Sequence, residues 1–231
     1  APAGPALIVR LYLWTAASWT TKLLAYAMVM HHFVPVTFWR VLAGVRKAAD
    51  GESLREAASE LLEPLILDVT QPEQIEAARA RVHEHGHGLH GLINNAGIAI
   101  YGPAEVVPVD EYRRQFEVNF FGQIAVTQAL MPELVAARGC VVNVTSVGGR
   151  ITQPFMSPYS SSKFAFEAWS DALRAEVAPY GVRVAIMEPG NIKTEIWKKG
   201  FSYKDQLSGY LNDEQRARYG PILDKVDNVL N

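Results

Sequence analysis

The chain has 231 residues, of which 49% are hydrophobic and 20% are charged. This length and composition fit one globular domain with a sizeable apolar core and argue against long disordered segments. The formal net charge is −2, with 22 basic and 24 acidic residues and no basic block, so nucleic acid is not the expected partner. The single cysteine, Cys140, excludes an internal disulfide and a cysteine-rich zinc site. It suits a reducing compartment, and we expect a cytoplasmic protein.

The first 38 residues differ in composition from the rest of the chain. Among the 17 glycines, none lies between Gly4 and Gly44, and two uncharged spans, 11–21 and 23–39, flank Lys22. The second span contains two histidines and a proline, which puts it at the lower limit for crossing a bilayer. We interpret this region as a buried or amphipathic segment. Membrane association through residues 11–39 is the alternative that is not favoured.

Beyond this region, strand-like and helical patterns alternate. Short apolar runs predict strands at 39–46, 64–68, 91–94, 139–145 and 182–187, and helical periodicity predicts helices at about 70–85, 110–137, 158–180 and from 212 onward. Thr70 and Glu73 have the spacing of a capping box at the start of the first of these helices. Apolar strands separated by helices indicate a parallel sheet covered on both faces, an α/β fold whose ligands bind at the carboxyl ends of the strands.

The strongest chemical pattern is Tyr159-Ser-Ser-Ser-Lys163 at the start of a predicted helix. The four-residue spacing puts the phenol and the ammonium on one helix face. A free phenol has a pKa near 10, and a nearby cation lowers that pKa, so that the tyrosine can exchange a proton with a carbonyl or alcohol oxygen near neutral pH. Alone, the Tyr-x-x-x-Lys pattern is more often helix surface decoration.

Other polar residues follow the predicted strands or interrupt a predicted helix. Ser146 comes directly after CVVNVT, at a carboxyl end, although a serine there also caps turns. Asn94–Gly97 and Pro189-Gly190 follow two further strands and otherwise resemble ordinary turn sequences. Asn119 lies inside a long helix, where asparagine has poor propensity, although a partly exposed amide is the simpler interpretation of that residue alone.

Together these residues resemble the short-chain dehydrogenases/reductases over about residues 39–194. The matching segments are NNAG at 94–97, Asn119 in EVNFFG, Ser146 in VVNVTS, Tyr159 and Lys163 in YSSSK, and PGNIKT at 189–194. The resemblance implies a Rossmann-like doubly wound sheet in a single domain, 1–231. That domain comprises an atypical N-terminal segment at 1–38, a family-like core at 39–194 and a substrate-lid region at 195–231.

The resemblance also implies roles for individual residues. The catalytic residues would be Asn119, Ser146, Tyr159 and Lys163, with Tyr159 as the acid/base. Ser146 would orient the reacting oxygen, Lys163 would lower the pKa of the tyrosine and hold the nicotinamide ribose, and Asn119 would support a water-linked proton relay. The cofactor-binding residues would be Arg46, Asp68, Val69, Asn95, Ala96, Gly97, Tyr159, Lys163, Pro189, Gly190 and Thr194, with Asp68 and Val69 at the adenine. The cofactor would supply the hydride.

The end of the 39–46 strand indicates which cofactor is preferred. A carboxylate there would bind a ribose 2′-hydroxyl, whereas an arginine pairs with a 2′-phosphate. The chain has Arg46 and Lys47, with no acid before Asp50. This favours NADP, with NAD possible, although Arg46 is also consistent with a solvated strand-end charge.

Two regions depart from the family pattern. The glycine-rich phosphate loop should follow the first strand, which PALIV at 5–9 predicts, but RLYLWT follows instead, and the chain ends at Asn231 without a clear last strand. We therefore expect an altered first βα unit and a missing last strand. The leading prediction is an enzyme that interconverts an alcohol and a ketone or aldehyde. The alternative is a catalytically silent relative that acts through dimerisation.

The remaining predictions concern ligands and partners. Phe155, Met156, Ile192 and Trp197 suggest an apolar hydroxy substrate such as a lipid, steroid or retinoid. The histidines of HEHGHGLH at 83–90 lack the pattern of a metal site, and no metal is predicted. Because the helices at 110–137 and 158–180 form the dimer interface in the family, a homodimer or homotetramer is expected.

Overall fold

A computed structural model of the chain describes residues 6–11, 39–57, 61–190 and 209–230. Within these residues, six strands form one parallel sheet: β1 Ala6–Leu11, β2 Trp39–Val45, β3 Leu62–Ile66, β4 Gly91–Asn94, β5 Cys140–Val144 and β6 Arg183–Met187. Their order is β3-β2-β1-β4-β5-β6, and every neighbouring pair is parallel. The order reverses between β1 and β4, as in doubly wound sheets, whose ligands bind outside the carboxyl ends at that reversal.

Helices connect or follow these strands: α1 Ala48–Ala57, α2 Pro72–Glu84, α3 Val109–Phe116, α4 Gly122–Ala137, α5 Ser157–Val177 and α6 Asp213–Leu230. A π-helical segment, Glu117–Phe121, joins α3 to α4 without a break. Short 3-10 turns at Val147–Gly149 and Ala178–Tyr180 follow β5 and α5. The helices and the parallel strands confirm the predicted α/β fold.

Local sequence explains where α4 ends. Arg138 adopts a left-handed conformation with φ of 49°, which breaks the helix. A β-carbon on the next residue, Gly139, would collide with the carbonyl oxygen of Leu89, so only glycine allows the chain to enter β5 this close to its neighbour.

The core lies where the sheet meets the helices. Leu42, Leu92 and Val141 on three strands are fully buried, as are Leu130 and Leu134 on α4. Burial of each such side chain contributes about 1.5–3 kcal/mol to folding. This packing fixes the strand ends, and with them the loops that follow.

The structure corrects two local predictions. The capping box at Thr70 and Glu73 is wrong: Gln71 is the N-cap of α2 and makes no side-chain cap. The Thr70 hydroxyl instead donates to Asp68 Oδ1 at 2.7 Å, and the helix begins one residue later than the capping box requires, after Gln71. β3 begins at Leu62, ahead of Pro64, which is tolerated because β3 is an edge strand of the described sheet.

Among the described residues, one helical segment, Val109–Ala137, is long and apolar enough to cross a membrane by length and composition alone. The core helix of a soluble protein meets the same criteria. Leu130 and Leu134 of this segment are buried in the core. The span 11–39, for which membrane association was considered, lies almost entirely outside the described residues.

Candidate active site at the carboxyl edge of the sheet

The residues singled out in the sequence follow the ends of successive strands. Arg46 comes directly after β2, Asp68 follows β3, Asn95 follows β4, Ser146 follows β5 and Pro189 follows β6. Because all these strands are parallel, the five positions lie along one edge of the sheet. This is the edge where doubly wound sheets bind their ligands.

Ser146 caps a turn, which is one of the two roles considered for it. It is the N-cap of the turn Val147–Gly149, and its Oγ accepts a hydrogen bond from the Gly148 amide at 3.0 Å. The same hydroxyl is hydrogen-bonded to Tyr159. The turn therefore fixes the serine oxygen against the phenol.

Glycine at position 148 makes this approach feasible. A β-carbon on Gly148 would lie 3.2 Å from Tyr159 Cε1 and 3.4 Å from Ser146 Oγ. Distances this short force neighbouring groups apart, so any side chain at this position would press on the serine–tyrosine pair.

Tyr159 lies in the first turn of α5 and is 6% exposed. The start of α5 is held to α3 by a 2.6 Å hydrogen bond between the Tyr112 hydroxyl and Ser157 Oγ. Burial raises the pKa of the Tyr159 phenol, and the hydrogen bond to Ser146 lowers it by less. The net direction is the reverse of the expected lowering by Lys163, since desolvation of the phenolate outweighs the other contributions.

Lys163 lies one turn further along α5 and is buried. Its Nζ donates a hydrogen bond to the Val144 carbonyl at 2.9 Å and lies 5.9 Å from the centre of the Tyr159 ring. Burial lowers the pKa of this lysine to about 8, partly opposed by the charge of Glu167. The structure thus brings Ser146, which follows the carboxyl end of β5, close to Tyr159 and Lys163 at the start of α5.

Asn119 is fully buried in the π-helical segment. Its Oδ1 accepts from the Ile98 amide at 2.8 Å, and its Nδ2 donates to the Ile98 carbonyl at 3.0 Å. Nδ2 also lies 3.3 Å from Ser162 Oγ on α5. The side chain therefore clamps the loop after β4 and contacts α5, and the partly exposed amide considered above is wrong.

Two further amides act on the same loop and were missed in the sequence. Gln115 accepts from the Ile100 amide at 2.7 Å and donates to the Ile98 carbonyl at 2.8 Å, while Gln123 donates to the Ala96 carbonyl. With Asn119 they form an amide ladder, our term for Gln115, Asn119 and Gln123. The signal in the sequence is an amide side chain at every fourth position, 115, 119 and 123, along one continuous helical segment.

The amide ladder fixes the loop that contains Asn95, Ala96 and Gly97. A β-carbon on Gly97 would lie 3.4 Å from Asn119 Oδ1, so the loop lies close against the helix. Asn94 anchors the strand beneath, since its Nδ2 donates to Thr127 Oγ1 at 2.7 Å and to Asn143 Oδ1 at 2.9 Å.

At the end of the sheet edge where adenine is predicted to bind, two charged side chains form a long ion pair. Arg46 and Asp68 approach each other to 3.9 Å, with each side chain 28% exposed. The carboxylate of Asp68 also accepts from the Thr70 amide at 3.0 Å. Val69 is 4% exposed and belongs to the core, so its side chain is not available to a ligand.

The remaining predicted residues lie partly outside the described region. The Pro189 carbonyl accepts from the Val147 amide at 3.1 Å, which joins the end of β6 to the turn bearing Ser146. Gly190 is exposed. Thr194 lies outside the described residues, as do Ile192, Trp197 and the segment expected to bind phosphate.

Within the described ranges, no group of three histidine, cysteine or acidic residues could hold a metal ion. Two of the histidines at 83–90 lie near carboxylates. His83 Nδ1 lies 2.8 Å from Glu133 Oε1, and His85 Nε2 lies 3.8 Å from Glu63.

The doubly wound sheet and the Ser-Tyr-Lys group at its edge are typical of nucleotide-binding α/β proteins, and comparison with known proteins identifies the family. The family model described as "short chain dehydrogenase" matches residues 39–205. The chain belongs to this family of NAD(P)-dependent oxidoreductases. The predicted family and enzyme class are thereby confirmed.

Two curated relatives illustrate the similarity. The chain is 42% identical over 200 residues to an NADPH-dependent 3-dehydrocapnine reductase of Ornithobacterium rhinotracheale, an alignment that covers 82% of the chain and 69% of the relative. It is 44% identical over 163 residues to mouse retinol dehydrogenase 5, which covers 68% of the chain and 50% of the relative. The chain thus spans between half and just over two thirds of the length of these relatives.

A solved structure shares the fold. A short chain dehydrogenase from Burkholderia cenocepacia J2315 in complex with NADP is 31% identical, with a TM-score of 0.68. The match covers 85% of the chain and 77% of that structure.

Proposed function

We propose that the protein is an NADP(H)-dependent oxidoreductase that interconverts an alcohol and a ketone or aldehyde on an apolar compound. The observation that carries the proposal is the group formed by the partly buried Ser146 with the buried Tyr159 and Lys163 at the carboxyl edge of the sheet. A hydroxyl, a phenol and an ammonium held near one another can bind a carbonyl oxygen and give it a proton.

In the proposed mechanism, Tyr159 donates its phenolic proton to the carbonyl oxygen during reduction and takes it back during oxidation. Ser146 donates a hydrogen bond to the same oxygen and so orients it. Burial raises the pKa of the phenol, which keeps the tyrosine protonated and ready to donate. The cationic form of Lys163 stabilises the phenolate that remains after proton transfer. Asn119 contributes by holding the loop after β4 and, in this proposal, by supporting the proton relay.

A nicotinamide dinucleotide fits the described residues at both ends of this edge. Among the described residues, a β-carbon on Gly190 would meet only Val147 Cγ2, at 4.0 Å, so these residues leave room for a close approach to the main chain there. Arg46 presents a partly exposed guanidinium at the other end. Asp68, the loop at 95–97, Pro189 and Lys163 would complete the binding residues, with Thr194 beyond the described region. When bound, the nicotinamide supplies or accepts the hydride.

Arg46 supports a preference for NADP(H) over NAD(H). A guanidinium pairs with a phosphate through charge-assisted hydrogen bonds, which a 2′-hydroxyl cannot match. The names of a curated relative and a structural neighbour agree, since one is an NADPH-dependent reductase and the other was solved with NADP.

The apolar residues near the site support an apolar substrate such as a lipid, steroid or retinoid. Phe155 packs with Val106, Leu211 and Tyr219 in a separate cluster that joins α6 to the loop after β4. The Phe155 and Tyr219 rings meet edge to face at 6.3 Å. One relative acts on retinol by its name, which agrees with such a substrate.

Titration of the protein with NADPH and with NADH, followed by nicotinamide fluorescence, tests the proposal. We expect NADPH to bind more tightly than NADH and ketone-dependent oxidation of bound NADPH to follow. The silent alternative, which the similarity to named enzymes does not favour, predicts no binding at millimolar cofactor. That result would overturn the proposed function.

We also propose that the protein is a homo-oligomer in the cytoplasm. The aromatic residues Phe121 and Phe164, on the helical segments predicted to form the interface, are 53% and 44% exposed. Exposed aromatic residues of this kind are enriched at protein–protein interfaces. Sedimentation velocity should give at least a dimer, and Phe121→Glu should shift it toward the monomer. A monomeric native protein would contradict the proposal.

A further inference from the structure

Glu167 is a buried carboxylate in α5 to which the proposed reaction gives no role. The residue is 3% exposed. Among the described residues, neither Oε1 nor Oε2 has a hydrogen-bond partner of good geometry. Burying an ionised carboxylate costs free energy unless cations lie beside it. We therefore expect cations next to Glu167.

One neighbouring cation is Arg150, in the turn after β5. Its Nη2 lies 3.0 Å from Glu167 Oε2, and its Nε lies 3.0 Å from Glu188 Oε1 at the end of β6. The Arg150 side chain is 50% exposed, so it connects the buried carboxylate to the surface and not to the reacting group.

The other cation is Lys163, one helical turn before Glu167 on the same face of α5. The turn after β5 lies against both residues, since a β-carbon on Gly149 would lie 3.1 Å from Glu167 Cγ and 3.1 Å from the Lys163 carbonyl oxygen. The carboxylate is therefore buried beside Arg150, one helical turn from Lys163 on the same helix face.

The charge of Glu167 acts directly on Lys163. Burial lowers the pKa of Lys163 from 10.5 to about 8, and Glu167 is the group that opposes this fall. An ammonium whose pKa lies near the working pH easily loses its proton. A neutral lysine would no longer stabilise a phenolate at Tyr159.

We propose that Glu167 is the buried counter-ion of Lys163 and a positioning residue for the reaction, because it keeps the ammonium charged and directed at the carboxyl edge. The proposal rests on the proposed function only for its consequence in turnover. The charged or titratable groups around Lys163 in the described residues are Tyr159 and Glu167 on α5, with Arg150 and Glu188 beyond Glu167.

The direct test uses the whole protein without substrate. The pH titration of the Lys163 Cε signal is followed by NMR in protein labelled with ¹³C-lysine, with the signal assigned by its absence in Lys163→Arg. We expect Glu167→Gln to lower the Lys163 pKa by about one unit or more. Removing a neighbouring negative charge from a partly desolvated site changes a pKa by about this much. Glu167→Asp should restore most of the difference, because it keeps the charge.

Glu176→Gln is the matched control, because Glu176 is an exposed glutamate on the same helix. It should leave the Lys163 titration unchanged. In the reductive direction, the alkaline fall in kcat should move to lower pH in Glu167→Gln by the same shift. A purely structural role would instead reduce kcat equally at all pH values.

Each result has one meaning. An unchanged Lys163 titration in Glu167→Gln overturns the proposal. If Glu167→Gln does not fold, a Lys163 titration in Glu167→Asp identical to that of the native protein does the same. If the titration shifts as expected but no variant turns over a carbonyl compound, the counter-ion stands and the proposed function fails.

Discussion

The two ends of the carboxyl edge are built differently. After β4, the three buried amides of the amide ladder hold the loop: Gln115 and Asn119 each make two hydrogen bonds to it, and Gln123 makes one. After β2 and β3, Arg46 and Asp68 form an ion pair of 3.9 Å, and both side chains are partly exposed. Buried hydrogen bonds are strong because the competing water is absent, whereas exposed charges are screened.

In the proposed function, the two ends would have different tasks. The rigid end lies next to Tyr159 and Lys163 and would carry the chemistry, where small displacements cost rate. The open end, at the partly exposed Arg46, would select the cofactor. Changes at the rigid end should therefore affect turnover or folding, whereas changes at the open end should affect only which cofactor binds.

The largest effect is expected at the reacting group. Tyr159→Phe removes the transferred proton and should lower kcat by about 10²–10⁴-fold, the usual contribution of general acid–base catalysis. NADPH binding should remain nearly unchanged, as measured by fluorescence titration. Tyr180→Phe, at a tyrosine that is 62% exposed, is the control. Turnover retained in Tyr159→Phe would disprove the assigned role.

The amide ladder should give the next largest effect. Gln115→Leu removes one of the donors to the Ile98 carbonyl and leaves the Ile100 amide without its 2.7 Å acceptor. The free energy of unfolding should therefore fall by about 2–4 kcal/mol. Urea unfolding measures this change. The exposed Gln128, on the same helix, provides the control Gln128→Leu, which should be nearly neutral. Equal stability of the two variants would mean that the loop after β4 does not depend on the ladder.

The open end should show the smallest effect, and one confined to a single cofactor. Arg46→Ala should weaken NADPH binding by about 10–100-fold, the worth of a charge-assisted hydrogen bond, and leave NADH binding almost unchanged. Arg55→Ala, at an exposed arginine of α1, should change neither. Equal weakening of both cofactors would show that Arg46 does not select the phosphate.

Much of the sheet follows from local sequence. β4 lies at 91–94 as predicted, because GLIN is a short apolar run that begins at glycine and ends in polar residues. The family motifs also indicated that Ser146, Tyr159 and Lys163 meet, because strand ends of a parallel sheet share one edge. The roles assigned to these residues remain predictions.

The features that the sequence did not reveal depend on tertiary contacts. The rise in the pKa of Tyr159 results from burial, which no spacing of residues reports. Gln115 and Gln123 resemble ordinary helical glutamines until the loop after β4 is placed against them. The capping box at Thr70 was wrong because α2 begins one residue later, after Gln71, and the contact of Thr70 with Asp68 forms only once the chain turns after β3.

The π-helical segment Glu117–Phe121 has a geometric consequence for the ladder. In a regular α-helix, side chains four residues apart drift around the axis by about 40° at each step. A π turn takes more residues per revolution, so it reverses part of that drift. Gln115, Asn119 and Gln123 can therefore stay aligned on one loop, and deleting a single residue from this segment would rotate half of the ladder away from it.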